Sequence, residues 1–296
     1  MRGRGVGVVL IAILAIGAAG CGSDRPPIRA AGFDFPESHV LAWIFAIAFE
    51  DAGFDVDTSR IQPGRTREIL KPALEDGEID YLPEYTGTLL SVLGGQPTAS
   101  SDGNYEAARE LFAERGVTLL PYAAAQDQNV FVVTPRFAAE RGVSSLSDLA
   151  TIADELTFGA PPECPQRQFC AIGLRDVYGI EFDEFIPLDA TSRASALASG
   201  AVDVVLLFST DAVLAINDWV VLEDDRELIP AENVSLAVRD ELIAEYGGDL
   251  TEIVAAISLV LTTEALSELN RQVQIEGRDP QDVAREWLEQ RALIEE

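Results

Sequence analysis

Two stretches of the chain repeat one frame, and the repetition constrains the fold more tightly than any other feature. "ALEDGEIDYLPEYTGT", from Ala73, and "ALASGAVDVVLLFSTD", from Ala196, each carry Ala-Leu, a Gly three residues after the Leu, a β-branched residue two further on, and an Asp directly following. Both read as a helix end, a capping glycine, a strand, and a polar corner before another helix. The frame aligns Tyr85 with Phe208, Thr86 with Ser209 and Thr88 with Asp211. It predicts two lobes built alike, each presenting an aromatic and a hydroxyl at the carboxyl end of a strand, where open α/β sheets bind ligands.

The segments around the repeat alternate strand and helix, so the class is α/β. A short strand ends near Gly32, and "FDFPESHV" opens the first helix, with Asp34 as N-cap and Glu37 as its capping-box partner. Leu41, Ile44, Phe45, Ala48 and Phe49 follow helical spacing, and Gly53 closes the helix. The apolar run "HVLAWIFAIAF" has about half the roughly 20 residues a membrane span needs, so it predicts a core helix. "FDVDTSRI" is the next strand, and a helix over 66–75 is expected to be interrupted near Pro72. Later, "QNVFVVTP" reads as a buried strand, "SSLSDLA" as a capped short helix, "ELTFGAPPE" as strand and turn, and "GLRDVYGI" as the start of another helix. From Glu241 onward only amphipathic helices are indicated.

The chain has 296 residues, 48% hydrophobic, enough apolar material for two globular units. A formal net charge of −29 excludes nucleic acid and anionic lipid as partners bound through a basic surface. The acidity reads either as surface solvation or as a preference for cationic or zwitterionic ligands. Arg2 and Arg4, the apolar run 6–19, and Ala18, Ala19 and Gly20 before Cys21 form a targeting segment over 1–21. "AAGC" resembles a bacterial lipobox, with Ala18 where Leu is usual, so Cys21 is a lipidation site; an ordinary secretory signal is the alternative. In either case the mature protein works outside the cytoplasmic membrane, and residues 22–28 form a Pro-containing tether. Export suits a disulfide between Cys164 and Cys170, a metal site being the weaker reading because the single histidine, His39, is distant in sequence. His39 itself is expected on a helix surface.

Enzyme signatures are scarce. The chain has no Gly-x-Ser-x-Gly elbow, P-loop, Gly-x-Gly-x-x-Gly or His-Glu-x-x-His, and one histidine gives acyl transfer little to work with. No catalytic residue, cofactor or metal is therefore expected. Binding is better supplied. "GFDFPE", "PEYTGT" and "FSTDA" place helix N-termini beside aromatics, which suit a carboxylate and a quaternary ammonium respectively. Arg167, between the two cysteines, could fork a carboxylate.

"GEIDYLPEYTGTLL" resembles the "G-x-(I/V)-D-x-x-x-E-Y-T-G-T" signature of the glycine betaine/choline-binding proteins of ABC importers. "PECPQRQFCAIGLRDVYG" and "SGAVDVVLLFSTDAVLAINDWVVLEDD" resemble two further segments of that family, and the likeness runs from about Gly32 to Leu288. The resemblance implies a type II periplasmic-binding-protein fold, two α/β lobes joined by two crossover strands with the ligand in the cleft. Lobe one is placed at 29–127 plus 233–296 and lobe two at 128–232, with the hinge near Gln128 and Glu232. The implied partners are a small solute, a permease with its ATPase, and the membrane through the lipid anchor; a monomer is expected. The implied ligand contacts are Tyr85, Thr86 and Thr88 of "EYTGT", the loop Phe33, Asp34 and Phe35, Asn129, Arg167 for the ligand carboxylate, and Phe208, Ser209 and Thr210. The loop lacks the family lysine, Ala194 stands at a cage tyrosine, and the tyrosine before "PEY" is displaced to Tyr81, with Leu82 in its place. An incomplete cage follows, which keeps another small zwitterion (amino acid, ectoine, polyamine), a sensor or an enzyme on this fold as alternatives.

Overall fold

The structure, a computed structural model, describes residues 26–295. The targeting segment and Cys21 lie outside the described residues. Strands are β1 (Ile28–Ala31), β2 (Val56–Arg60), β3 (Tyr81–Tyr85), β4 (Val117–Leu119), β5 (Asn129–Val133), β6 (Thr157–Ala160), β7 (Glu184–Pro187), β8 (Val204–Phe208), β9 (Val220–Val221) and β10 (Val234–Arg239). They form two five-stranded sheets, in the orders β2-β1-β3-β10-β4 and β7-β6-β8-β5-β9. The chain therefore passes between the sheets twice, after β4 and after β9. The two passing segments pair antiparallel, with Gln126 opposite Asn233 and the Asp127 N–H on the Glu232 carbonyl at 3.1 Å. Ile28, assigned to the tether, instead opens β1 and is fully buried.

Both halves of the repeated frame have a structural cause. Gly77 and Gly200 cap their helices at φ 71° and 73°, the left-handed region where glycine carries no Cβ penalty. In the first sheet the Asp80 N–H bonds the Arg29 carbonyl at 2.8 Å, and its carboxylate takes the Arg29 N–H back at 2.8 Å. In the second, Asp203 clasps Thr157 the same way, at 3.0 and 2.9 Å. Each Asp thus fastens its strand to the parallel neighbour. Asp80 also binds the Arg29 guanidinium at 2.8 Å and Arg239 of β10 at 3.0 Å, tying three strands together.

Helix α1 (Pro36–Asp51) is apolar on nearly every side, as a helix covered all round must be. Phe45 and Phe49 pack edge-to-face on Tyr81 at 6.4 and 5.5 Å. The Tyr81 hydroxyl donates to the Ala42 carbonyl at 2.9 Å, so this displaced tyrosine belongs to the core and not to a ligand. The N-cap of α1 is Phe35 in extended geometry, not Asp34, whose carboxylate instead accepts the Gly64 N–H at 2.7 Å. Glu37 makes no capping box and turns into the protein. His39 is half-buried rather than on the surface, and burial holds its imidazole below the ordinary value. Helix α2 (Arg67–Glu75) runs through Pro72 uninterrupted, since proline withdraws a single donor, the one that would meet the Glu68 carbonyl. "GLRDVYGI" is helical as expected, but as a short π-helix, Leu174–Tyr178, closed by Gly179 at φ 72°. Ser145 caps its short helix with a full capping box, and three helices, Asp240–Val260, Thr263–Gln274 and Pro280–Glu289, complete the first lobe.

Asp80→Ala should destabilise the protein by about 3–5 kcal/mol, because two guanidinium groups lose a buried partner at once. A urea titration followed by tryptophan fluorescence measures it, as a lower midpoint with unchanged slope.

Candidate functional site

β3 and β8, the equivalent central strands, end on one cleft of about 510 Å³ between the sheets. Tyr85 is the last residue of β3 and Phe208 the last of β8. The passing chain lies against both, Val234 pairing with Tyr85 and Asn129 with Phe208. Phe35, in the loop after β1, lies between the two rings, its centroid 6.0 Å from Tyr85 and 5.4 Å from Phe208. Phe33 stacks on Phe35 at 6.2 Å, and its backbone N–H is pinned to the Ser38 hydroxyl at 2.8 Å. Helix α3 (Thr86–Val92) starts directly after Tyr85. Its Gly87 is needed because a Cβ there would stand 2.6 Å from the Ala231 carbonyl of the second passing segment.

Of the residues expected here, Phe33, Asp34, Phe35, Tyr85, Thr88, Asn129, Arg167 and Phe208 line the cleft. Thr86, Ser209 and Thr210 do not; the first two hydroxyls fasten the passages between sheets, and the third is taken by Glu37. Thr86 accepts the Asn233 N–H at 3.2 Å. Ser209 accepts the Gln128 N–H at 2.9 Å and donates to Asp127 at 3.2 Å. Thr210 donates to Glu37 at 2.5 Å. Cys164 and Cys170 are joined as a disulfide, Cα atoms 5.3 Å apart, beneath the loop that carries Arg167.

Three buried carboxyls that the sequence did not place among the ligand contacts surround these side chains. Glu37, 3% exposed, accepts the Tyr85 hydroxyl at 2.6 Å, Thr210, and the Asn270 amide at 2.6 Å. Burial raises its pKa, and those hydrogen bonds draw it partly back. Asp127 is pushed well above the carboxylate range by burial and by the charges of Glu37 and Asp211. Glu232, on the second passing segment, accepts the Thr88 N–H at 3.0 Å and the Thr88 hydroxyl. Burial lifts Glu232 to about 7 against the pull of those bonds and of Arg67.

Three arginines complete the lining. Arg67 forks Glu84 at 2.9–3.2 Å and lies 4.6 Å over the Phe33 ring. Arg167 meets Glu68 at 2.7 Å, across from α2, and Glu163 at 3.9 Å, while Asn129 donates to the Phe169 carbonyl at 2.9 Å. Arg193, in "LDATSRASAL", lies 4.7 Å over Phe208 and donates to the Leu206 carbonyl at 3.0 Å. Its neighbour Ala194, at the family's tyrosine position, does not reach the cleft lining. Among the described residues no three of His, Cys, Asp and Glu converge as a metal site. Aromatic faces beside guanidinium groups and acids suit a small molecule bearing both charges.

Residues 26–290 match the family described as the substrate-binding domain of the ABC-type glycine betaine transport system. The chain belongs to this family. The binding domain is 26% identical over 273 residues to the ergothioneine transport permease/binding protein EgtU of Helicobacter pylori (strain G27), covering 91% of this chain but only 48% of that protein. It is 24% identical over 279 residues to the carnitine transport binding protein OpuCC of Listeria monocytogenes (strain 10403S), covering 93% of this chain and 90% of that one. In fold it is similar to a glycine betaine/carnitine/choline ABC transporter structure, TM-score 0.70 at 22% identity, over 90% of this chain and all of that one. Lactococcal OpuAC, complexed with glycine betaine, gives 0.66 at 16% identity over 90% and 97%. The binding domain thus has the type II periplasmic-binding-protein fold, two α/β sheets with the cleft between them.

Glu232 gives the stability of the binding domain a readable pH dependence. Its folded pKa of about 7 lies above the ordinary 4.5, so between those values the folded state holds a proton that the unfolded state has lost. Stability should fall as pH rises through that window, by roughly 3 kcal/mol, and level off above it. Denaturant titrations from pH 4 to 8 on wild type and Glu232→Gln should differ by that slope.

Proposed function

We propose that this chain is the extracytoplasmic, non-catalytic receptor of an ABC importer, anchored through lipid on Cys21. It holds a small quaternary-ammonium or zwitterionic compatible solute, of the glycine betaine, choline and carnitine class, and presents it to a permease driven by its ATPase. The observation that carries the reading is the convergence of Phe35, Tyr85 and Phe208 with arginines at one cleft in a chain of this family. Onium centres are held by aromatic faces, each worth up to about 2 kcal/mol when desolvated. Relatives named for carnitine, glycine betaine and ergothioneine are solute carriers of this chemistry.

Residues 29–127 with 233–296 act as one lobe and 128–232 as the other, closing about the paired segments near Gln128 and Glu232. Closure is stabilised only as far as the solute touches both lobes. Phe35, Tyr85, Thr88 and Asn129 contact it directly. A second reading, another small zwitterion such as an amino acid or ectoine, has one observation in its favour: guanidinium groups already cover a face of Phe33 and of Phe208.

Isothermal titration with glycine betaine, carnitine, ergothioneine, choline, ectoine and proline tests both readings. Micromolar binding of an onium solute supports the first, binding of ectoine or proline alone supports the second, and no binding by any of them removes both. Phe35→Ala should weaken an onium ligand by roughly 10- to 30-fold in the same titration. Radiolabelled palmitate should enter the wild-type chain in cells and fail to enter Cys21→Ser.

A further inference from the structure

Arg193 is a buried cation without an acid. The residue is 2% exposed and lines the cleft, yet its Nε meets no acceptor and it forms no ion pair among the described residues. Arginine is almost never fully buried unless paired, and this chain offers 50 acidic residues against 21 Lys and Arg. The acids whose charge reaches Arg193 are Asp211, Asp127, Glu163 and Asp189, of which Glu163 faces Arg167 and Asp189 accepts from Thr191 and Ser192. Asp127 accepts from Ser209 and Thr210, and Asp211 accepts the Phe208 N–H at 2.9 Å and the Gln274 amide at 3.1 Å. The two other cleft arginines differ in having acids, since Arg67 is forked by Glu84, and Arg167, whose Nε is also unpartnered, is held by Glu68 and Glu163. Stacking on Phe208 occupies one face of the Arg193 guanidinium and leaves its in-plane N–H groups as the remaining donors. That edge fits a carboxylate, which accepts two such bonds side by side.

We infer that Arg193 receives the carboxylate of the solute, so that the cleft takes carboxylated onium compounds and rejects carboxylate-free ones. The inference deepens the receptor reading above and rests on it. It also assigns Phe208 a different part: the ring is a platform for Arg193, and the onium end falls to Phe35 and Tyr85. A solute spanning both groups bridges β8 to β3, the contact that lobe closure requires.

The test is a titration of the full chain, as wild type, Arg193→Gln and Arg193→Lys, with glycine betaine, carnitine and ergothioneine against choline. Thermal melts of each variant report folding. Wild type is expected to bind at least one carboxylated solute and to bind choline roughly 30-fold or more weakly. Arg193→Gln should lose roughly 30-fold or more for the carboxylated solute with choline affinity unchanged, and Arg193→Lys should fall between. If Arg193→Gln does not fold, the loss of discrimination in Arg193→Lys carries the test. Equal weakening of choline and the carboxylated solute marks a structural role and overturns the inference. So does an unchanged carboxylate affinity, or wild type binding choline as tightly. Failure of wild type to bind any of the panel overturns the receptor reading itself, and the inference with it.

Discussion

The carboxylate of Glu37 sits where α1, β3, the corner after β8 and the helix Thr263–Gln274 meet, and takes a hydrogen bond from each of the last three. Burying an acid is unfavourable unless its lone pairs are satisfied, and here Tyr85, Thr210 and Asn270 satisfy them. The dependence runs both ways. Without the acceptor, a phenol, a hydroxyl and an amide would be buried without their shared partner, and the β8 corner would lose one of its bonds to the first sheet's side. Asn270 also donates to the Thr210 carbonyl at 3.1 Å, and Gln274 bonds both Asp211 and the Ala212 N–H, so one helix face continues what Glu37 begins. The position of Tyr85 against Phe35 and Phe208 follows from this junction.

What was legible in the sequence was local. The repeated frame, its two glycine caps and its two aspartates mark the same strand clasp in both sheets, and each is decided within a few residues or by a neighbouring strand. Glu37 was misread for the same reason. A capping box links residues three positions apart, whereas the partners that capture this carboxylate lie 48, 173 and 233 positions away. Thr86, Ser209 and Thr210 stand at strand ends as ligand-binding hydroxyls do, but the chain passing between the sheets engages the first two hydroxyls and Glu37 the third. Arg193 carried no local signal at all. Only the strand that brings Phe208 beneath it gives its guanidinium a stacking partner at the cleft.

The cleft also shows how an aromatic site changes character without losing its rings. Arg67 and Arg193 are each the first residue of a helix, and each lays its guanidinium on a phenylalanine. A ring so covered offers less of its negative face to a ligand cation, while the arginine is held in place by stacking. Such stacking suits the dipolar solute proposed above better than a bare cation.

Tyr85 and Phe208 are each paired in register with the first residue of a strand that has just crossed between the sheets. In the closure proposed above, the pivot and the binding surface are therefore the same few peptide groups. A twist at the pivot is transmitted to the rings with no intervening lever, so grip strength is adjustable from behind, by residues that never see the solute. Such a receptor can be retuned along its lineage by altering how stiffly it bends while its contact surface stays constant.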